Sequence, residues 1–326
     1  MNHDLTDQPD VASRALGASV VYANDELFAA RENLVTPGPP VHDPGAFGPR
    51  GKVYDGWETR RRRSPGNDHA IVRLGVRSQV RGVVVDTSYF TGNYPPQVSV
   101  DGVDLPGYPA VEELLAASWQ PLVPATAVNG DSRNTFAVAG APTCTHVRLT
   151  LHPDGGVARL RVHGRPVPDR TLLTGTIDLA ALENGGDVVD CSDDYYASAR
   201  NLLLPGRART TGEGWENARR RDAGNDHVTV RLAGLGTIRR LVVDTSCFVG
   251  NAPAEVLVRG CAGVPDGDRA PGGWVTLLPR GEVQPDTRHV LAVNADAATR
   301  PVDHVRLDVF PDGGLARLGV LGELSH

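Results

Sequence analysis

The chain lacks the composition that nucleic-acid-binding and membrane-bound proteins need. Its 326 residues include 33 Lys or Arg against 39 Asp or Glu, which gives a net charge of −6. General nucleic-acid and membrane-surface binders carry a basic excess, so we expect neither partner. No apolar run approaches membrane-spanning length, and the chain does not begin with a basic segment followed by an apolar one. We therefore expect a cytoplasmic protein.

Cysteine, aromatic residues and lysine are also scarce. The four cysteines form no Cys-x-x-Cys pair, so we expect free thiols in a reducing compartment rather than a disulfide or zinc framework. Aromatic residues make up 5% of the chain, which disfavours a protein that stacks sugars on aromatic rings. Lys52 is the only lysine, so nearly every cation is an arginine, the better residue for bidentate binding of a carboxylate.

What the chain does contain is a polar cassette present twice. Three motifs recur 158 positions later: Gly-Trp-Glu (56–58 and 214–216), Gly-Asn-Asp-His (66–69 and 224–227) and Val-Asp-Thr (85–87 and 243–245). Solenoid units repeat at roughly 20–50 residues, so this longer spacing indicates duplication of a whole domain. Polar residues kept at one offset need a reason, either shared turn chemistry or a shared site.

Short runs of β-type sequence, separated by Gly/Pro turns, fill both copies. In residues 146–151 (His-Val-Arg-Leu-Thr-Leu), apolar and polar side chains alternate, as in a half-buried antiparallel strand. Val111–Ser118 is the one clear helical segment, and the second copy lacks it. The pattern predicts an all-β fold of two tandem jelly-roll β-sandwiches. The predicted bounds are an N-terminal lead (1–17), repeat 1 (18–165), a linker (166–182) and repeat 2 (183–326).

Two loop features complete this organisation. Asn33 corresponds to Asn201 at an offset of 168, so repeat 1 carries ten extra residues, which the Pro/Gly-rich segment 37–52 supplies as an irregular loop. Pro-Asp-Gly-Gly occurs at 153–156 and again at 311–314. Proline and glycine suit a tight turn between the last two strands, so we interpret this motif as structural.

The cassette resembles the allantoicase family, whose members hydrolyse allantoate to ureidoglycolate and urea. The resemblance covers nearly the whole chain, twice, and rests on these segments and their second copies: 55–63 (Asp-Gly-Trp-Glu-Thr-Arg-Arg-Arg-Arg), 66–68, 85–87, 90–96, 32–34 and the His-Val-Arg-Leu…Pro-Asp-Gly-Gly closings. It implies galactose-binding-like jelly rolls, a hydrolase acting on C–N bonds of linear amidines in purine (allantoin) degradation, and a homo-oligomer. Where many members have Gly-His-Asp-Trp, this chain has Gly-Asn-Asp-His.

Allantoate carries a carboxylate and two ureido groups on one carbon. Its site therefore needs a cation, hydrogen-bonding groups and an acid or base that activates water. The candidates for proton transfer are the carboxylates of the cassette, namely Glu58, Asp68, Asp86, Glu216, Asp226 and Asp244. The candidates for substrate binding are Arg61, Arg63, Thr87, Asn93, Arg219, Arg221, Thr245 and Asn251. Within the arginine run, Arg61 and Arg63 share one face if the run is a strand, and Arg62 does not.

Each candidate also has a structural interpretation. The arginine run could be a solvated surface, Glu58 could orient a guanidinium, and Gly-Asn-Asp-His is typical of a tight turn. Four histidines could carry protons or bind a metal, or could simply begin strands: His69, His146, His227 and His304. No cluster has the ligand spacing of a metal site, so a divalent metal stays open as a cofactor.

The sequence thus predicts an enzyme that acts on allantoate, and one alternative remains beside it. The alternative is a non-catalytic tandem jelly-roll protein that binds a sugar or a ureide. A binding protein needs hydrogen-bond partners and stacking aromatics, but no carboxyl group with a shifted pKa. The sequence leaves open whether the two cassettes share one site or form one site each.

Overall fold

A computed structural model describes residues 5–325, which form two compact units divided between Pro168 and Asp169. The described part of the first unit contains helix α1 (Val111–Ala116) and the strands β1 (Ser19–Ala23), β2 (Phe47–Gly48), β3 (Gly51–Lys52), β4 (Trp57–Glu58), β5 (Asp68–Asp86), β6 (Gln97–Val103), β7 (Gln120–Ala127), β8 (Arg133–Ala137), β9 (Thr143–His152), β10 (Gly156–Val157) and β11 (Arg159–Pro166). Short 3-10 turns occur at Leu5–Asp7, Arg14–Leu16 and Arg31–Val35.

The second unit repeats this arrangement without an α-helix among its described residues. Its strands are β12 (Ile177–Asp178), β13 (Asp187–Cys191), β14 (Asp226–Asp244), β15 (Glu255–Cys261), β16 (Val275–Glu282), β17 (Arg288–Ala292), β18 (Val302–Phe310) and β19 (Arg317–Leu324). Its 3-10 turns are Arg170–Leu172, Leu182–Asn184, Ala199–Leu203, Thr211–Glu213 and Ala297–Thr299.

Strand β5 organises the first unit because its two halves pair with different neighbours. The first half lies between β1 and β9, in the order β1-β5-β9-β6-β7, and its first residue, Asp68, lies opposite Leu151. The second half pairs with β11 and β8, and its last residue, Asp86, lies opposite Arg159. Strand β9 ends where β11 is about to begin. Both ends of β5 therefore lie at the same end of the unit.

Strand β14 does the same in the second unit. Asp226, its first residue, lies opposite Val309 of β18, and Asp244, its last, lies opposite Arg317 of β19. The predicted all-β duplication is thus confirmed, and the helix predicted at 111–118 is present as α1. Residues 70–74 and 82–86, which the sequence pattern indicates as separate β-type runs, belong to one strand, β5.

The core of each unit is mostly aliphatic and contains one fully buried tryptophan and one fully buried phenylalanine. Trp57 and Trp215 are fully buried, as are Phe90 and Phe248. All four cysteines are free thiols. Among residues 5–325, no helix combines the length and the apolarity that a bilayer crossing demands.

Glycine 75 lies at the bend of β5, where pairing changes from one layer to the next. A Cβ on Gly75 would be 2.3 Å from the carbonyl oxygen of Leu16 and 3.2 Å from the nitrogen of Ala18. Both are backbone atoms, so they cannot rotate away as a flexible side chain would. Only glycine allows this close approach, and it ties the segment before β1 to the bend.

We expect Gly75→Ala to lower the unfolding free energy of the first unit by about 1–3 kcal/mol, because the added methyl group displaces backbone. Chemical denaturation followed by circular dichroism measures this change. The matched control is Gly92→Ala, since a Cβ at Gly92 meets nothing within 4 Å. Equal stabilities of the two variants would show that the bend tolerates a side chain.

Candidate active site

The cassette residues gather at the end of each unit where both ends of the long strand lie. Strand β4 pairs with β10, with Trp57 opposite Val157 and Glu58 opposite Gly156. The arginine run then leaves β4 as irregular chain rather than as a strand. The second unit has the equivalent bridge between Trp215 and Leu315. The structure therefore forms one cluster of cassette residues in each unit.

The buried tryptophan positions this cluster. Trp57 Nε1 donates to the carbonyl oxygen of Asp25 at 2.7 Å, and Trp215 Nε1 donates to that of Asp193 at 2.8 Å. The indole satisfies its N–H while its rings fill the core, as buried tryptophans usually do. Each tryptophan thereby fixes the start of the arginine run against the segment after the first strand.

A glutamate and an asparagine pair in both units. Asn93 Nδ2 donates to Glu58 Oε1 at 2.7 Å, and Asn251 Nδ2 donates to Glu216 Oε1 at 2.7 Å. Burial raises the pKa of the Glu58 carboxyl above its ordinary value, and the hydrogen bond from Asn93 offsets part of that rise. A carboxyl group with a raised pKa is the type of group that performs acid–base chemistry near neutral pH.

A second pair joins the arginine run to the Gly-Asn-Asp-His turn. Arg62 Nη1 lies 2.5 Å from Oδ1 of Asp68, whose side chain is only 1% exposed. The backbone N–H of Arg62 donates to Asp154 Oδ2 at 2.7 Å, and Asn24 Nδ2 donates to Asp68 Oδ1 at 3.1 Å. Asp68 Oδ2 is buried and has no hydrogen-bond partner among the described residues.

The second unit reproduces this pair with different supporting side chains. Arg220 Nη1 lies 2.7 Å from Asp226 Oδ1, and the backbone N–H of Arg220 donates to Asp312 Oδ2 at 2.8 Å. Ser192 Oγ donates to Asp226 in place of the asparagine, at 2.9 Å. Asp226 Oδ2 is again buried without a partner in the described chain. A tight turn needs no buried ion pair, so turn chemistry alone does not explain these aspartates.

The other arginines of the first run divide into paired and exposed residues. Arg60 forms an ion pair with Asp25. Arg61 and Arg63 are exposed, and no ion pair within residues 5–325 involves either one. An open cavity of about 650 Å³ lies over the run, lined by Asn24, Asp25, Phe28, Arg60, Arg61, Arg62, Arg63, Ser64 and Asp68. Arg219 and Arg221 are likewise exposed in the second unit.

Asp86 and Thr87 hold the turn that follows β5. Asp86 Oδ1 accepts from the N–H and the hydroxyl of Ser88 at 2.9 and 2.6 Å. Thr87 is fully buried, and its hydroxyl donates to the carbonyl oxygens of Asn129 and Ser132. A hydroxyl used inside a turn is not available to a substrate, so we assign Thr87 a structural role. The catalytic role expected of Asp86 stays a prediction.

Asp244 and Thr245 occupy the equivalent turn after β14. Asp244 Oδ1 accepts from the N–H of Ser246 at 2.9 Å. Thr245 is fully buried and donates to the carbonyl oxygens of Gln284 and Thr287 at 2.6 and 3.0 Å. We therefore assign Thr245 the same structural role as Thr87, and not the substrate contact expected from the sequence.

The four candidate histidines do not come together. The rings of His69 and Tyr22 are in tilted contact, with centroids 5.5 Å apart, and burial lowers the pKa of His69. His227 instead lies 2.9 Å from Asp190. His146 lies five residues before Leu151 along β9, or roughly 17 Å from the Asp68 end of the unit.

His304 is the counterpart of His146, and its Nδ1 lies 2.7 Å from Asp303. Across residues 5–325, no group of three or more His, Cys, Asp or Glu side chains has the geometry to hold a metal ion. The possible divalent metal thus has no ligand set in the described part of the chain.

The sequence did not identify the side chains that support the cluster: Asn24, Asp25, Arg62, Asp154, Ser192, Asp193, Arg220 and Asp312. Asp154 and Asp312 recur at the repeat offset, but their Pro-Asp-Gly-Gly setting indicated only a turn. Arg62 was set aside because the run was treated as a strand. The sequence could have revealed Asp25 and Asp193, because they recur at the offset of 168 that relates Asn33 to Asn201.

Comparison with known proteins agrees with the duplication and covers both clusters. A family model described as the allantoicase repeat matches residues 9–167 and again 177–325. A Nocardia farcinica protein named a probable allantoicase is 54% identical over 324 residues, which cover 98% of this chain and 96% of the relative. A Streptomyces avermitilis protein of the same name is 47% identical, covering 99% of this chain and 87% of the relative.

Solved structures extend the comparison to the fold. The crystal structure of allantoicase from Saccharomyces cerevisiae superposes with a TM-score of 0.79 at 34% identity, covering 96% of this chain and 92% of that one. A second structure, titled as that of allantoicase, gives a TM-score of 0.80 at 33% identity, covering 98% and 94%.

Removal of the Arg62 side chain should destabilise the first unit far more than removal of the neighbouring Arg60. Arg62→Ala leaves the buried Asp68 carboxylate without its cation, which typically costs about 3–5 kcal/mol. Arg60 is 63% exposed in its ion pair, so Arg60→Ala should cost at most about 1 kcal/mol. Chemical denaturation of both variants measures the difference.

The second unit already carries the milder change, because Ala218 stands at the position of Arg60. Equal losses in the two variants would mean that Asp68 does not depend on Arg62.

His146 should make the first unit sensitive to acid. Burial lowers the pKa of His146 to about 4, from 6.5 in a model peptide. Because the folded-state pKa is the lower one, this contribution to stability is present above pH 6.5 and is lost as the pH falls toward 4. After allowance for partial solvent screening, we expect a loss of about 1–2 kcal/mol.

The measurement is thermal unfolding of the wild type and of His146→Gln at pH 7 and at pH 4.5. The wild type should lose more stability than the variant over this interval. Parallel losses would show that His146 titrates normally in the folded protein.

Proposed function

This chain belongs to the allantoicase family, and we propose that it hydrolyses allantoate to ureidoglycolate and urea, with one site in each repeat. The observation that carries the site assignment is a Glu–Asn pair that recurs in both units, with its glutamate shortly before the arginine run in sequence. The pair has a hydrogen bond of 2.7 Å in both units, at Glu58–Asn93 and at Glu216–Asn251. Each unit contains its own complete set of these groups.

The exposed arginines supply the cation for the substrate carboxylate. Arg60 and Arg62 are occupied by Asp25 and Asp68, which leaves Arg61 and Arg63 as the guanidinium groups of the run that can bind an anion. Guanidinium groups bind carboxylates through paired N–H donors. In the second repeat, Arg219 and Arg221 take these positions.

Glu58 supplies the proton transfer. Hydrolysis adds water to the central carbon of allantoate and breaks one of its bonds to a ureido nitrogen. In this mechanism the protonated Glu58, whose pKa is raised by burial, donates its proton to the departing nitrogen. The resulting carboxylate takes a proton from the attacking water, so that urea leaves and Glu58 is restored. In the second repeat, Glu216 holds the equivalent position and pairs with Asn251.

Asp68 serves the site in two ways. One carboxylate oxygen fixes Arg62 and therefore the direction of the arginine run. The other oxygen is buried beside the cavity without a partner, which costs about 1–3 kcal/mol unless a donor reaches it. A ureido N–H is such a donor, so we assign Asp68, and Asp226 in the second repeat, to substrate positioning.

The non-catalytic alternative is not favoured, because the relatives that match the whole chain are named as allantoicases and aromatic residues make up only 5% of the chain. The homo-oligomer and the cytoplasmic location remain predictions. So do the repeat bounds of 18–165 and 183–326 derived from the sequence.

The test is urea release from allantoate by the purified full-length protein. The wild type should release urea with ureidoglycolate as the co-product. Because each repeat has its own site, Glu58→Gln and Glu216→Gln should each retain roughly half of the activity. The double variant should lose at least about 100-fold, the usual contribution of a general acid–base group. Activity is measured with and without prior chelation, which tests the open question of a divalent metal.

The matched control is Glu112→Gln, which changes an exposed glutamate on α1 and should leave the rate unchanged. Complete loss of activity in one single variant would contradict independent sites. A folded wild-type protein that releases no urea before or after addition of a divalent metal would contradict the proposed function.

A further inference from the structure

The second unit contains a cavity whose lining includes only one residue of the cassette, Asp244. It has a volume of about 370 Å³ and lies between the segment 202–207 and strand β19. Its walls include Asp178, Pro205, Gly206 and Gly319. None of its lining residues is Glu216, Asn251, Asp226 or an arginine of the run. The first unit shows what occupies the equivalent place there.

In the first unit, a guanidinium group fills that place. Arg161 Nη1 lies 3.4 Å from Asp10 Oδ2, while its Nη2 donates to the carbonyl oxygens of Pro37 and Gly38 at 3.0 and 2.9 Å. The other oxygen of Asp10 accepts the backbone N–H of Val162 at 3.0 Å. The arginine side chain is only 13% exposed, so one carboxylate and two carbonyls form a nearly enclosed guanidinium site.

The second unit keeps the acceptors of this site. Asp178 Oδ1 accepts the backbone N–H of Val320 at 2.9 Å, as Asp10 does from Val162. Pro205 and Gly206 follow Pro37 and Gly38 by 168 positions, the offset of that segment.

The neighbouring arginine confirms this correspondence. Arg317 Nε donates to the Gly206 carbonyl at 3.1 Å, as Arg159 Nε does to Gly38 at 3.2 Å. The acceptors and the neighbouring arginine of the guanidinium site therefore correspond in the two units. Two lining residues differ, since Glu183 and Arg207 stand where the first unit has Ala15 and Pro39.

The Arg161 side chain has no counterpart, because Gly319 stands 158 positions after it. Three other arginines, Arg207, Arg288 and Arg317, line the cavity together with the carboxylates of Asp178, Glu183 and Asp244. A Cβ at Gly319 would lie 3.3 Å from Asp178 Oδ2, which shows that this oxygen faces the position of the absent arginine. Burial raises the pKa of Asp178, whereas in the first unit the Arg161 charge opposes the corresponding rise at Asp10.

We propose that the cavity binds a guanidinium group from outside the unit. The group would donate to Asp178 Oδ2 and to the carbonyls of Pro205 and Gly206, as the Arg161 side chain does to their counterparts. Its source is either a small guanidino compound or an arginine of a second copy of this chain. Both present the same planar N–H donors and the same charge, so the chemistry of the site is common to them.

The test is titration of the full-length protein with methylguanidinium, followed by calorimetry. We expect saturable binding at one site per chain. Acetamide has planar N–H donors without the charge, and tetramethylammonium has the charge without N–H donors, so each should bind at least about 10-fold more weakly. Similar binding of all three compounds would overturn the proposal.

Asp178→Asn is the decisive variant, because the amide can still accept from the backbone through its oxygen but carries no charge. We expect a loss of methylguanidinium affinity of at least about 10-fold. The matched control is Asp266→Asn, which changes an exposed aspartate outside the cavity and should bind as the wild type does.

Sedimentation of the same samples distinguishes the two sources. Asp178→Asn that loses methylguanidinium binding and keeps its oligomeric state identifies a small guanidino compound as the occupant. Loss of self-association in that variant, together with dissociation of the wild type by methylguanidinium, identifies an arginine of a second copy. If Asp178→Asn changes neither binding nor sedimentation, the proposal is wrong. None of these readouts depends on urea release.

Discussion

Each repeat depends on one strand that pairs with two different neighbours. A strand that pairs with the same neighbour throughout would place its ends at opposite ends of the domain. Because β5 changes partner at its middle, Asp68 and Asp86 both lie at one end, where β4 and the turn before β10 also lie. Strand pairing therefore decides where the cluster forms, and Gly75 permits the change of partner by admitting the backbone of Leu16.

A buried ion pair then gives the cluster its internal order. Arg62 and Arg220 point inward to aspartates that are each 1% exposed, and their backbone N–H groups are held by a second aspartate. Their neighbours in the run consequently project outward. In the proposed site, the inward arginine fixes the direction of the run, and the exposed arginines are thereby placed to bind a substrate carboxylate.

The sequence predicted the fold better than it predicted the site. Alternation and turn residues reveal strands, and a fixed offset reveals a duplication, because both are properties of neighbouring positions. Side-chain partners are different. The pairing of Asn93 with Glu58 could have been predicted, since both residues recur at one offset. The pairing of Arg62 with Asp68 could not, because it depends on the arginine run being irregular chain and not a strand. Burial of the Thr87 hydroxyl depends on carbonyls about 40 residues away, which no local pattern discloses.

The contact between Phe90 and Gly156 constrains how the two copies can diverge. A Cβ on Gly156 would lie 2.1 Å from the Phe90 ring, and the equivalent distance from Gly314 to Phe248 is 2.0 Å. Neither glycine can be replaced by a larger residue while its phenylalanine remains, because the new side chain would overlap the phenylalanine ring. A protein with only that substitution would have a poorly packed core. A substitution at one of these glycines therefore requires a second substitution at its phenylalanine. Thr59 and Asn217 differ in this respect, because each accepts a hydrogen bond from a glycine N–H and a single substitution converts one into the other. Packing alone therefore limits how far the two copies can diverge at these glycines.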